Sequence, residues 1–71
     1  MGQRKDKLLL KKIATKIRAL RLEAGITHEQ FYIDTNIHIA RVERGQTNIT
    51  IVTLNHICSY FDITLHDFLK D

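Results

Sequence analysis

The sequence predicts an all-α domain built from five short helices. Three observations support this prediction. Apolar residues recur at spacings of three and four, helix-capping residues precede most of these runs, and no short stretch alternates apolar and polar residues as a strand would. Proline is absent, and Gly25 and Gly45 stand where helices should end. The 71 residues fit one domain, and 44% apolar content allows a compact core.

The first helix is predicted to run from about Asp6 to Ala24. Its buried stripe consists of apolar residues three and four positions apart: Leu10, Ile13, Ile17, Leu20 and Ala24. Lysines occupy the other face. Gly25 supplies the left-handed conformation that often ends a helix.

The second helix is predicted to be short, from Thr27 to about residue 33 or 34. Thr27 and Gln30 match a capping box, in which each side chain satisfies a free backbone N–H at the start of the helix. Ile26 precedes the cap and can pack on Phe31.

The third helix is predicted to run from about Thr35 or Asn36, either of which can cap it, to Arg44. Ile39 and Val42 should point inward. The outward face should carry the residues that recur at the complementary spacing: Asn36, Ile37, Ala40, Arg41 and Arg44.

The last two helices are predicted from caps at Thr50 and Thr64, with Asp67 favourably placed in the first turn of the fifth. The expected buried residues are apolar: Leu54, Ile57, Cys58 and Phe61 on the fourth helix, and Leu65, Phe68 and Leu69 on the fifth.

Positive charge is concentrated near the N-terminus. Residues 1–21 contain eight of the eleven basic residues and one acidic residue, whereas the rest of the chain contains three basic and seven acidic residues. A basic end on a nearly neutral body suits a polyanionic partner, although a solubilising helix face with a basic tail would look the same. We divide the chain into a basic tail, residues 1–5, and a folded domain, residues 6–71.

Several classes of function are not expected. The four histidines and the lone Cys58 lack the spacing of a metal site, and no glycine-rich phosphate loop or catalytic constellation is evident, so we expect no enzyme, metal or cofactor. A lone cysteine in an apolar run is typical of a core residue in a reducing cytoplasm. No apolar run approaches the roughly 20 residues that cross a membrane, so we expect neither export nor anchoring.

Residues 13–69 resemble the helix-turn-helix domains of the lambda-repressor/Cro class, also called the XRE family. The resemblance is carried by segments in the family's order: residues 17–21 (IRALR) with 25–27 (GIT), residues 39–45 (IARVERG), residues 50–54 (TIVTL), and residues 57–61 (ICSYF) with Ile63. One departure concerns the stretch from Thr27 to Glu43, which is about three residues shorter than usual. The family's Leu-Ala is replaced there by Phe31-Tyr32, and its turn glycine has no clear counterpart.

The resemblance implies a bacterial or phage-type, sequence-specific transcriptional regulator whose third helix, about residues 35–44, enters the DNA major groove. The implied base contacts are Asn36 to adenine, Arg41 to guanine and Ile37 to the thymine methyl group. Asn36 could instead only cap the helix, and Ile37 could belong to the core.

Other residues should position the domain on DNA without specifying a sequence. The candidate phosphate contacts lie at the start of helix two and around helix three: Thr27, His28, His38, Arg44, Gln46, Thr47 and Asn48. His28 could also brace Asn36. Lysines on the first helix could add phosphate contacts or form a solvated face. The family often pairs the positions of Arg21 and Glu43, which implies a structural ion pair between helices one and three.

The family usually acts as a homodimer on an inverted repeat, so a second copy and double-stranded DNA are the expected partners, with no small-molecule ligand. We expect dimerisation through the C-terminal helical region, where the apolar residues exceed what one small helix can bury: Tyr60, Phe61, Leu65, Phe68 and Leu69. The expected location is the cytoplasm, on the nucleoid when DNA is bound. The alternative is an antitoxin or protein-interaction module that retains the fold.

Overall fold

The computed structural model describes residues 6–70, which form five α-helices joined by short turns. The helices are α1 (Lys7–Ala24), α2 (His28–Thr35), α3 (Ile39–Glu43), α4 (Ile51–Tyr60) and α5 (Leu65–Leu69). No strand occurs within this range. The predicted all-α, five-helix fold is therefore confirmed. The basic tail, residues 1–5, lies outside the described residues.

Four helices begin at a capping side chain. Each cap accepts a hydrogen bond from the backbone N–H three residues later, with oxygens supplied by Asp6, Thr27, Thr50 and Thr64. The predicted caps of α2, α4 and α5 are confirmed. The second half of the predicted capping box is wrong, because the Gln30 amide donates to Asp34 Oδ1 at 2.9 Å rather than to the Thr27 backbone.

The core is one cluster that draws on all five helices. It contains Ile13, Ile17, Phe31, Ile39, Leu54, Ile57, Cys58 and Phe68. Phe31 is fully buried, with its ring 4.6 Å from Tyr60 in an edge-on arrangement and 5.6 Å from Phe61 in a stacked one. Cys58 is also fully buried, and burial raises the pKa of its thiol. Its predicted role as a small core residue is confirmed.

The turn after α3 lies directly against α1. Gly45 adopts a left-handed conformation with φ of 70°, and a Cβ atom there would lie 3.2 Å from the Cα of Lys11. Any larger residue would push the turn away from α1. Gly45 therefore ends α3 and also brings the following loop onto the N-terminal half of α1.

Lys16 ties α5 to α1, which the sequence did not indicate. Its Nζ atom donates to the carbonyl oxygens of Phe68 at 2.7 Å and Lys70 at 3.1 Å. These carbonyls lie at the C-terminal end of α5, where backbone oxygens lack helical partners and the helix dipole favours a cation. One basic residue of α1 thus has a structural role.

The predicted C-terminal dimer surface is corrected in part. Phe68 is buried, and Tyr60, Phe61 and Leu65 are half-buried against the core cluster, so most of these apolar groups are covered within one chain. Leu69 is the exception, with half of its surface exposed.

Candidate nucleic-acid interface

The helix that should contact DNA is shorter than predicted. The sequence predicted about residues 35–44, but α3 spans only Ile39–Glu43. The cause is Asn36, which ends α2 in a left-handed conformation with φ of 64° while Thr35 remains in that helix. Residues 36–38 form the turn, so neither Thr35 nor Asn36 caps α3.

The Thr35 hydroxyl organises this short turn. It donates to the carbonyl of Phe31 at 2.7 Å and accepts from the backbone N–H of Ile37 at 3.1 Å. The backbone N–H of Asn36 bonds to the carbonyl of Tyr32 at 2.7 Å. These three bonds pair polar groups of the turn with one another, so residues 36–38 are sufficient to connect α2 to α3. Asn36 occupies the left-handed position for which the sequence offered no glycine.

The three predicted base contacts are therefore not on one helix face. Asn36 is exposed in the turn, and Ile37 is partly buried against the core, which agrees with the alternative left open for it and not with its predicted outward position. Arg41 is exposed on α3, as expected. Ile39 is buried, and Ala40, Val42 and Glu43 are each partly buried. Arg41 is thus the only exposed residue of α3.

A buried ion pair holds α3 to α1. Arg21 Nε lies 2.7 Å from Glu43 Oε2, and Arg21 Nη2 lies 3.2 Å from Oε1, which makes a bidentate contact. The side chains are 11% and 7% exposed. Arg21 Nη1 also donates to the carbonyl of Ile26 at 3.0 Å, so the same guanidinium braces the entrance to α2. One arginine therefore sets the positions of both helices of the helix-turn-helix.

His28 completes this network. Its Nε2 atom lies 3.1 Å from Glu43 Oε1, so it supports Glu43 rather than Asn36. Burial by itself raises the pKa of Glu43, but hydrogen bonds and charge from Arg21 and His28 outweigh that effect. The net pKa of Glu43 lies below its ordinary value. Glu43 is accordingly held in its ionised form.

The candidate phosphate contacts surround α3 and are all exposed: Thr27, His28, His38, Arg44, Gln46, Thr47 and Asn48. Three of them have other roles as well, one being His28, which contacts Glu43. The Thr27 hydroxyl caps α2, and the His38 ring stacks on Tyr32 with the ring centres 4.4 Å apart. The remaining ones, Arg44, Gln46, Thr47 and Asn48, follow α3 directly along the chain.

Neither a metal site nor a membrane-spanning helix is found within residues 6–70. No group of three or more histidine, cysteine or acidic residues is arranged to hold a metal ion. None of the helices in this range has the length and apolar character that a bilayer-spanning segment requires.

Comparison with known proteins identifies the family. Residues 16–71 match the family model described as Cro/C1-type HTH DNA-binding domain. No curated protein and no solved structure matches the chain. The family match includes the entire helix-turn-helix and begins within α1. The chain therefore belongs to the Cro/C1-type family of helix-turn-helix DNA-binding domains.

Proposed function

We propose that the protein is a sequence-specific transcriptional regulator that inserts α3 into the DNA major groove. The observation that carries this proposal is the position of Arg41. It is the only exposed side chain of a helix whose other residues pack inward, and that helix is fixed to α1 by a buried ion pair. A rigid support of this kind presents one guanidinium in a defined direction.

Arg41 is the principal base contact in this proposal. A guanidinium can donate two hydrogen bonds to O6 and N7 of guanine, which discriminates against the wrong base by about 1–3 kcal/mol. Asn36 remains a candidate adenine contact at the edge of the same surface. Ile37 is no longer proposed to contact thymine, because it packs against the core.

The surrounding polar side chains would position the domain on the sugar-phosphate backbone. Gln46, Thr47 and Asn48 follow α3 directly, and His38 precedes it, so contacts from both ends would fix the depth of Arg41 in the groove. Because such contacts depend on phosphates and not on bases, they should contribute equally to every DNA sequence.

We also propose that the regulator binds as a homodimer. One exposed side chain on α3 specifies too few base pairs, whereas two copies on half-sites about 34 Å apart multiply the specificity. Leu69 of α5 and Leu9 of α1, each 50% exposed, line one shallow groove and would form part of the contact. The setting would be a bacterial cytoplasm, with the protein on the nucleoid when bound.

A salt titration of binding to duplex DNA tests this function. The affinity should fall steeply with salt, with a log–log slope of about −0.9 for each phosphate contacted. Selection from random duplexes should then enrich an inverted repeat with guanine at a fixed position in each half.

The rival function is a protein-binding module or antitoxin. It is favoured by apolar side chains that are exposed on α2 and on α4: Ile33 at 68%, Ile51 at 59% and Val52 at 63%. Failure to bind any duplex at low salt would support this rival and overturn the proposed regulator.

A further inference from the structure

A shallow basic cleft lies between the N-terminal end of α1 and the turn that follows α3. Its volume is about 520 Å³. Six residues line it, of which three are basic and none is acidic: Lys7, Leu10, Lys11, Arg44, Gly45 and Gln46.

The shape of the cleft is fixed by close packing between the turn and α1. Gly45 brings the turn so close to α1 that a Cβ atom would approach Lys11 Cα to 3.2 Å, which fixes the two walls together. Lys7 and Lys11 are four residues apart and share one face of α1. Arg44 faces them from the end of α3. Three cations from two distant parts of the sequence therefore line the same cleft.

The charge of this cleft is not neutralised within residues 6–70. Lys7, Lys11 and Arg44 form no ion pair with any acidic side chain in that range. The neighbouring carboxylate of Asp6 accepts a hydrogen bond from the backbone N–H of Leu9 at 3.0 Å, as the cap of α1. Three converging, unpaired cations with an amide group beside them favour an anionic ligand with several acceptor oxygens.

The position of the cleft indicates which anion it binds. Its Arg44–Gln46 wall continues along the chain into the exposed residues Thr47 and Asn48, and Arg44 directly follows α3, the helix that carries Arg41. A DNA strand that passes along this turn would continue across the cleft. The other wall, at residues 7–11, lies in the part of α1 that precedes the family match at residues 16–71.

We propose that this cleft binds phosphate groups of the DNA strand that flanks the base pairs contacted by α3. The inference rests on the proposed function and extends it, because it lengthens the contacted segment of backbone. Since phosphate contacts are independent of base identity, the cleft raises affinity for all duplexes without changing the preferred sequence.

The test compares two variants that each lower the net charge by two. Lys7→Gln with Lys11→Gln removes the cleft lysines, whereas Lys70→Glu changes the charge by the same amount at a groove between α1 and α5. Binding to one mixed-sequence duplex is measured across about 50–200 mM salt, a range over which phosphate-dominated affinities change strongly. Circular dichroism checks that both variants remain folded.

We expect the cleft variant to bind more weakly and its salt slope to become shallower by about 0.9 for each phosphate that it no longer neutralises, while the α1–α5 variant keeps the wild-type slope. Equal decreases of DNA affinity in the two variants would overturn the proposed role of the cleft, because net charge alone would explain them. An unchanged salt slope in the cleft variant would also overturn that role. As long as the wild-type protein binds DNA, neither result would contradict the proposed regulator. Absence of wild-type binding would overturn both proposals.

Discussion

Two junctions hold the helix-turn-helix against the rest of the domain, and their chemistry is opposite. At the charged junction, Arg21 of α1 binds Glu43 of α3 through two hydrogen bonds. At the aromatic junction, Phe31 of α2 packs against Tyr60 and Phe61 at the end of α4. Aromatic packing gains free energy over a broad range of geometries, whereas a bidentate ion pair requires one geometry. We infer that the aromatic junction supplies stability and the charged junction sets the direction of α3.

The largest effect is expected from Phe31→Ala. This change leaves a cavity at a fully buried position and should cost about 3–5 kcal/mol of unfolding free energy. A domain of this size is stable by only about 4–10 kcal/mol, so the variant should be close to unfolded at physiological temperature. Urea denaturation followed by circular dichroism measures the loss. A loss below that of an exposed-site control, Ile33→Ala, would show that the aromatic junction is not the main support.

The next effect is expected from Glu43→Gln. The change leaves the Arg21 guanidinium buried without its anionic partner, which should cost about 3 kcal/mol. Replacing both partners by apolar groups, as in Arg21→Met with Glu43→Leu, removes the uncompensated charge and should recover most of that stability. The same double variant should still bind DNA poorly, because α3 loses its fixed direction. A double variant with normal DNA binding would contradict the inferred role of the charged junction.

Acid should weaken the two junctions unequally. Because the pKa of Glu43 is lower in the folded protein than in the unfolded chain, its ionisation stabilises the fold fully above the ordinary pKa of about 4.3. That contribution is lost as the pH falls through the lower, folded-state pKa. The unfolding free energy of the wild-type protein should therefore drop more steeply in this acidic range than that of Glu43→Gln. Parallel pH profiles for the two proteins would refute this coupling.

The smallest effect is expected from Tyr60→Phe, which preserves the ring and removes only the hydrogen bond to Asp34 Oδ2, 2.5 Å long. Stability should change far less than in Phe31→Ala. The hydrogen bond to Asp34 raises the pKa of the Tyr60 phenol, so ultraviolet titration should show a tyrosine that ionises at a lower pH in Asp34→Asn. An identical titration curve in that variant would show that the bond is absent in solution.

The elements that the sequence predicted well are those set by local chemistry. Most of the stripe of α1, its stop at Gly25 and the caps at Thr27, Thr50 and Thr64 depend on residues within one turn of each other, although Ala24 of the predicted stripe is exposed. The bounds of α1 and α2 and the starts of α4 and α5 were accordingly predicted to within one or two residues.

The elements that the sequence did not predict depend on distant contacts or on an uncommon backbone state. Asn36 replaces glycine in a left-handed turn, which moved the start of α3 from residue 35 or 36 to Ile39. The turn in addition draws Ile37 into the core and leaves Arg41 alone on its helix. The only advance signal was the tolerance of asparagine for positive φ. The attachment of Lys16 to α5 spans 52 residues and had no signal at all.

The central claim is that Arg41 specifies a base while its neighbours hold the backbone. It is tested most directly by selecting duplexes from a random pool with the wild-type protein, Arg41→Ala and the matched control Arg44→Ala. We expect Arg41→Ala to lose the preference at one guanine in each half-site, and Arg44→Ala to bind more weakly with its preferences unchanged. A full wild-type sequence preference in Arg41→Ala would contradict the claim.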